Sequence, residues 1–134
     1  MVDDLTGKKV LIVDDDKDVL ASLQQVLEET KADIETAMDG DTALEKVDTW
    51  KPDVMILDVM LPKRSGFLVL EKLRQKVKKD EPPRVIMITS NEGKRHRAYA
   101  ESLGVDMYLN KPFRMQKLVD IVKELLSSNN DALI

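Results

Sequence analysis

Three short stretches, Val10-Leu11-Ile12-Val13, Val54-Met55-Ile56-Leu57 and Val85-Ile86-Met87-Ile88, are apolar without interruption. A strand carries such a run where both faces of its sheet are covered, as in a parallel sheet flanked by helices. The segments between the runs supply the covers. Val19, Leu20, Leu23, Val26 and Leu27 recur at helical spacing and form one stripe. Ile34 to Met38 makes a weaker strand. Asp39-Gly40-Asp41 then launches a helix with Ala43, Leu44 and Val47 inward, and Pro52 stops the helical stretch after Trp50. Phe67, Leu70, Leu73 and Val77 mark a third helix, closed by Pro82-Pro83; Lys76, Lys78 and Lys79 in its last turn complement the dipole or face solvent. A polar helix with Ala98, Tyr99 and Leu103 inward runs to Gly104, Val105 to Leu109 forms a fifth strand, and Leu118, Ile121, Val122 and Leu125 place a last helix. Five βα units predict an α/β fold, a doubly wound five-stranded parallel sheet with five helices. The flavodoxin-like order 2-1-3-4-5 is borrowed from known sheets of this kind.

With 134 residues, one domain is expected over 1–134, its core spanning about 8–127 and Ser127 to Asp131 forming a fraying polar tail. Zero cysteines exclude a disulfide framework and thiolate metal sites. No run approaches the ~20 apolar residues that span a bilayer, and Met1-Val2-Asp3-Asp4 is acidic, so neither membrane insertion nor export is expected and the compartment reads as cytoplasmic. A net charge of −4 gives no general footprint for direct nucleic-acid contact. Protein partners are expected first.

The strands end in chemically distinctive residues: Asp14-Asp15, Asp58, Thr89-Ser90 and Lys111. In a parallel sheet these ends share one edge, and ligands of open α/β sheets bind outside it where the winding reverses. Three crowded carboxylates repel one another unless a cation joins them. Mg²⁺ suits oxygen ligands and keeps positions open for phosphate oxygens. With only His96 as a nitrogen donor, zinc and copper fit poorly. Lys111 offers a compact charge and Thr89 a hydroxyl to a phosphoryl group. A carboxylate can itself accept that group, and Asp58 is the candidate nucleophile.

Several of these residues also have plainer readings. Asp16 fits an N-cap of the first helix and is left out of the site. Thr89-Ser90-Asn91-Glu92 matches a capping box, so Thr89 carries a structural reading beside the functional one. Taken alone, Lys111 is a surface lysine and Tyr108 a packed aromatic. His96, among Lys94, Arg95 and Arg97, reads as solvated, and that basic stretch as a solvated helix or a partner-facing surface. Met55, Met60, Met87 and Met107 read mostly as core filling.

The motifs Val13-Asp14-Asp15, Asp58-Val59-Met60-Leu61-Pro62, Thr89 and Lys111-Pro112-Phe113 together resemble the receiver family of two-component signalling, over nearly the whole chain. The resemblance implies that Asp15, Asp58 and the Met60 carbonyl ligate Mg²⁺ directly and Asp14 through water. It implies that Asp58 receives a phosphoryl group from a histidine kinase or phosphotransfer protein, and that Lys111 pairs with the phosphate. It also implies that Thr89 moves toward the phosphate, that Tyr108 changes rotamer to remodel the face of the fourth helix and fifth strand for a downstream protein or output domain, and that Lys111-Pro112 is cis. The expected protein is a switch with self-phosphorylation and self-dephosphorylation chemistry, not an enzyme.

A small aspartyl-phosphate phosphatase would want a general acid at position 60, which is Met60. A flavodoxin-like cofactor carrier would want a Gly/Ser/Thr phosphate loop where the three aspartates stand. A non-phosphorylated pseudo-receiver remains an alternative, though every key position is filled. The oligomeric state stays open: a phosphorylation-dependent dimer would use the fourth helix, fifth strand and fifth helix, where Asp106 fits and Met107 does not. Met60 and Asn91 are expected to tune the lifetime of the phosphorylated state.

Overall fold

A computed structural model describes residues 4–90 and 94–131. Its elements alternate throughout: β1 (Lys9–Val13), α1 (Lys17–Glu28), β2 (Asp33–Ala37), α2 (Gly40–Thr49), β3 (Val54–Asp58), α3 (Gly66–Lys76), β4 (Arg84–Thr89), α4 (Lys94–Ser102), β5 (Met107–Asn110) and α5 (Met115–Asp131). All strand pairs are parallel and the order is β2-β1-β3-β4-β5, the doubly wound architecture expected from the sequence.

The uninterrupted apolar runs are explained by the two covers. Side chains alternate across each strand. Val10, Ile12, Val54, Ile56, Ile86 and Ile88 pack under α1 and α5 with Leu23, Leu27, Leu118 and Val122. Their neighbours Leu11, Val13, Met55, Leu57, Val85 and Met87 pack under α2, α3 and α4 with Ala43, Leu70 and Leu73. Each fully buried aliphatic side chain contributes roughly 1.5–3 kcal/mol relative to exposure, so the two layers together hold the sheet between its helices. The chain winds from β1 outward to β2, then crosses back past β1 to β3. The winding therefore reverses between β1 and β3, which opens the crevice at their carboxyl ends.

Helix starts follow the sequence closely. Asp16 caps α1 by accepting from the Asp18 and Val19 amides at 2.8 and 3.3 Å. Asp39 caps α2 through the Thr42 amide at 2.8 Å, and Ser65 caps α3 through Leu68 at 3.3 Å.

Two expectations are corrected, and one helix is longer than expected. The segment read as a fraying polar tail belongs to α5, which continues through Ser127 to Asp131. Serine and asparagine lower helix propensity only modestly, and no proline or glycine interrupts a helix already nucleated by its buried face. In α4 the buried residue is Ala100, while Ala98 and Tyr99 are exposed. The helix carries two weak stripes, and the one containing Ala100 and the half-buried His96 and Leu103 meets the protein. Tyr99 turns instead onto α3, with its ring 5.4 Å from Phe67 and its hydroxyl donating to Glu71. Met60 is 62% exposed, unlike the buried Met55 and Met87, because it lies in the β3–α3 loop beyond the sheet.

Candidate functional site

The strand register sets the levels of the site residues. Val13 lies opposite both Ala37 and Leu57, so Asp14 and Asp58 stand at one level, at the ends of β1 and β3. Asp58 faces Ile88, and Thr89 faces Asn110, which puts Thr89 one step further along and Lys111 two.

Asp14 is almost fully buried. Its Oδ1 accepts from the Asp16 amide at 2.9 Å, and its Oδ2 lies 3.4 Å from Lys111 Nζ. Asp58, 4% exposed, accepts from the Met60 amide through Oδ1 at 3.1 Å and places Oδ2 3.7 Å from the same ammonium. Asp15 is exposed at the rim. One oxygen from each of Asp14, Asp15 and Asp58 falls within 4.8 Å of the others. The structure thus gathers the three carboxylates and Lys111 where the fold reverses.

The electrostatics follow from this crowding. Burial is the largest influence on Asp58 and pushes its carboxyl up to about 6 from an ordinary value of 3.8, with Asp14 and Asp15 adding to the rise; the Met60 amide and Lys111 oppose it. An all-oxygen anionic set beside one half-buried ammonium fits a hard divalent cation, and no thiol competes for softer metals.

Thr89 is fully buried at the end of β4, and its carbonyl accepts from the Lys111 amide at 2.8 Å, fixing the turn that presents the lysine. Lys111-Pro112 is cis, as the resemblance implied, and Pro82-Pro83 is cis as well. The capping-box reading of Thr89 involves Asn91 and Glu92, which lie outside the described residues. Tyr108 sits deeper on β5, opposite Met87, 5% exposed, and its hydroxyl has no hydrogen-bond partner among the described residues. His96 is not the solvated residue expected: it is half-buried against Phe67, ring centroids 5.6 Å apart, with no hydrogen-bond partner for Nδ1 among the described residues. Asp106 is turned inward, accepting from the Val85 amide at 2.8 Å and pairing with Arg84 at 3.3 Å, so it offers little to a dimer face.

Sequence reasoning missed two supports. A Cβ at Gly66 would overlap the Asp58 carbonyl oxygen and lie 2.8 Å from Val59 Cα, so α3 starts directly against the acceptor's own backbone. Arg74 donates from Nε to the Leu103 carbonyl at 2.6 Å and from Nη2 to Gly104 at 3.1 Å, tying the end of α4 to α3. The glycine signal was present at the end of the Pro62–Gly66 loop; for Arg74 there was none, since a cation in a last helical turn is ordinary. A cavity of about 560 Å³ at the opposite edge, lined by Lys51, Pro52, Asp53 and Pro83, holds none of these groups. Convergence of charge, not concavity, marks the site.

Comparison with known proteins agrees with this geometry. A family model described as "Response regulator receiver domain" matches residues 10–123. The chain is 40% identical over 120 residues to the alkaline phosphatase synthesis transcriptional regulatory protein PhoP of Bacillus subtilis, spanning 90% of this chain and 49% of that protein. It is 31% identical over 117 residues to protein PilG of Pseudomonas aeruginosa, spanning 87% of this chain and 86% of PilG. The chain therefore covers about half of the first relative's length and most of the second's. Among solved structures, a CheY-like response regulator receiver domain protein from Methanospirillum hungatei superposes with a TM-score of 0.85 at 28% identity, covering 93% of this chain and 98% of that one. Sequence match, strand order and the edge where the carboxylates meet all agree, and the chain belongs to the response regulator receiver domain family.

Proposed function

We propose that the chain is a phosphorylation-dependent signalling switch in which Asp58 accepts a phosphoryl group from a histidine kinase or phosphotransfer protein, with Mg²⁺ as cofactor. The observation that carries this reading is the meeting of Asp14, Asp15, Asp58 and Lys111 at the reversal point of the sheet. Asp15, Asp58 and the Met60 carbonyl would hold the ion directly and Asp14 through water. Bound there, it supplies positive charge against the carboxylates and the phosphoryl oxygens.

In the transfer, an Asp58 carboxylate oxygen bonds to phosphorus as the P–N bond of a phosphohistidine breaks. The imidazole leaves with the electron pair and takes up a proton, and Asp58 becomes an acyl phosphate. Lys111 offsets negative charge beside Asp58, and Thr89 offers its hydroxyl from the neighbouring strand end. Tyr108 relays the event: its buried hydroxyl lacks a partner among the described residues, so a rotamer that finds one gains a hydrogen bond. The remodelled face of α4 and β5 would meet a downstream protein or output domain in the cytoplasm. The chain itself catalyses only its own phosphorylation and dephosphorylation, whose lifetime Met60 and Asn91 tune. The phosphatase reading is weaker because the exposed Met60 side chain has no proton to give.

Because an added cation relieves a repulsive cluster, Mg²⁺ is expected to raise the melting temperature of the wild type by several degrees and that of Asp15→Ala much less. Calorimetric scans with Mg²⁺ and with EDTA check this. Equal shifts in both proteins would contradict the metal assignment.

A further inference from the structure

The β3–α3 loop, residues 59–65, is closed at its base by backbone. Val59 N–H donates to Ile88 at 3.0 Å, and Gly66 N–H to the Val59 carbonyl at 2.8 Å. In its middle the Met60 N–H donates to Asp58 Oδ1 at 3.1 Å, while the Met60, Pro62 and Lys63 side chains are exposed and Lys63 holds a left-handed φ of 66°. The far half of the loop, Lys63 and Arg64, is seated by the first turn of α2. Asp39 Oδ2 lies 3.7 Å from Lys63 Nζ, Asp41 accepts from Arg64 Nε, and the buried Gly40 between them receives the Arg64 backbone. A Cβ at position 40 would stand 2.5 Å from Arg64 Cβ, 2.7 Å from the Arg64 carbonyl oxygen and 3.0 Å from Val69 Cγ2.

The two ion pairs are exposed and individually weak. The glycine contact is different in kind. Any side chain there must displace the backbone of Arg64, four residues from Met60 in a loop pinned at both ends. Mg²⁺ demands near-ideal octahedral geometry at short metal–oxygen distances, so a shift of a few tenths of an ångström at one ligand matters.

We infer that the Asp39-Gly40-Asp41 turn is a positioning element of the metal site: it seats Lys63 and Arg64 so that the loop presents the Met60 carbonyl beside Asp58. This rests on the reading of Asp15, Asp58 and Met60 as Mg²⁺ ligands. None of the three turn residues touches the ion; each acts through the loop.

The test is Mg²⁺ affinity by titration calorimetry on the full chain, beside melting curves in EDTA. Gly40→Ala is expected to weaken Mg²⁺ binding about tenfold. Asp41→Arg is expected to weaken it about threefold, and the exchange Asp41→Arg with Arg64→Asp to restore most of that loss. Val47→Ala, a cavity in the same helix away from the loop, should lower the melting temperature and leave Mg²⁺ affinity unchanged, which separates positioning from general destabilisation. A folded Gly40→Ala that binds Mg²⁺ as the wild type does overturns the inference. If Gly40→Ala does not fold, the charge exchange decides, and a failure to restore affinity overturns it. A wild type that binds no Mg²⁺ overturns the metal reading, and the inference with it.

Discussion

Replacing Lys111 with methionine, or chelating divalent metal, is expected to slow phosphoryl uptake from acetyl phosphate at least about 100-fold while the sheet stays folded. Lys111 is the cation that the structure places on two of the three carboxylates, 3.4 Å from Asp14 and 3.7 Å from Asp58. Without it, an anionic donor approaches a cleft with three acids and, among the described residues, no other basic side chain paired with Asp14 or Asp58. The cost is not a lost hydrogen bond alone, because attack concentrates negative charge on phosphoryl oxygens inside a partly water-excluded crevice. Methionine keeps an unbranched side chain of nearly the same length and removes the charge. Uptake followed by intact mass over time checks the effect, and rates unchanged in Lys111→Met would remove the lysine from the mechanism.

Asp58→Asn is expected to raise stability in metal-free buffer at pH 7 by an amount of order 2 kcal/mol, an unusual gain for a substitution at a buried polar residue. The folded carboxyl titrates near 6 and the unfolded one near 3.8, so the native state binds the proton more tightly. The Asp58 contribution to wild-type stability therefore falls as pH rises from about 4 to about 6, and the penalty is fully present above that window. Asparagine is neutral throughout and keeps an acceptor oxygen for the Met60 amide. The advantage of Asp58→Asn should be large at pH 7 and vanish near pH 4. Saturating Mg²⁺ should shrink it, since the metal stabilises only the carboxylate. Urea unfolding at the two pH values, with and without metal, measures all three terms; a pH-independent difference would mean that Asp58 is not held in the charged, buried state described here.

How much of this was legible depended on how strongly each element is determined by its own residues. Val10 to Val13, Val54 to Leu57 and Val85 to Ile88 admit only a doubly covered strand, so three of the five strands and both covers could be read directly. The strand order could not: periodicity says which residues are inward, not which strand is next door, and 2-1-3-4-5 was borrowed before the pairing was seen. In α4 the apolar residues are too few to fix a phase, and the small Ala100 rather than the aromatic Tyr99 turned inward. Asp14, Asp15, Asp58 and Lys111 were legible because strand ends of a parallel sheet must share an edge. Gly40 and Gly66 were visible only as turn residues. Their close contacts with Arg64 and with the Asp58 backbone depend on the packing of α2 and α3 against the same loop, which no local pattern encodes.

The central claim is that one carboxylate, Asp58, carries the phosphoryl group. The most direct measurement is the intact mass of the protein after incubation with acetyl phosphate and Mg²⁺, followed by borohydride reduction and peptide mapping, which converts an acyl phosphate on aspartate into homoserine. One phosphoryl group is expected per chain, with homoserine at position 58 and no addition in Asp58→Ala or in EDTA. A phosphoryl group mapped to any other residue, or retained in Asp58→Ala, would contradict the account.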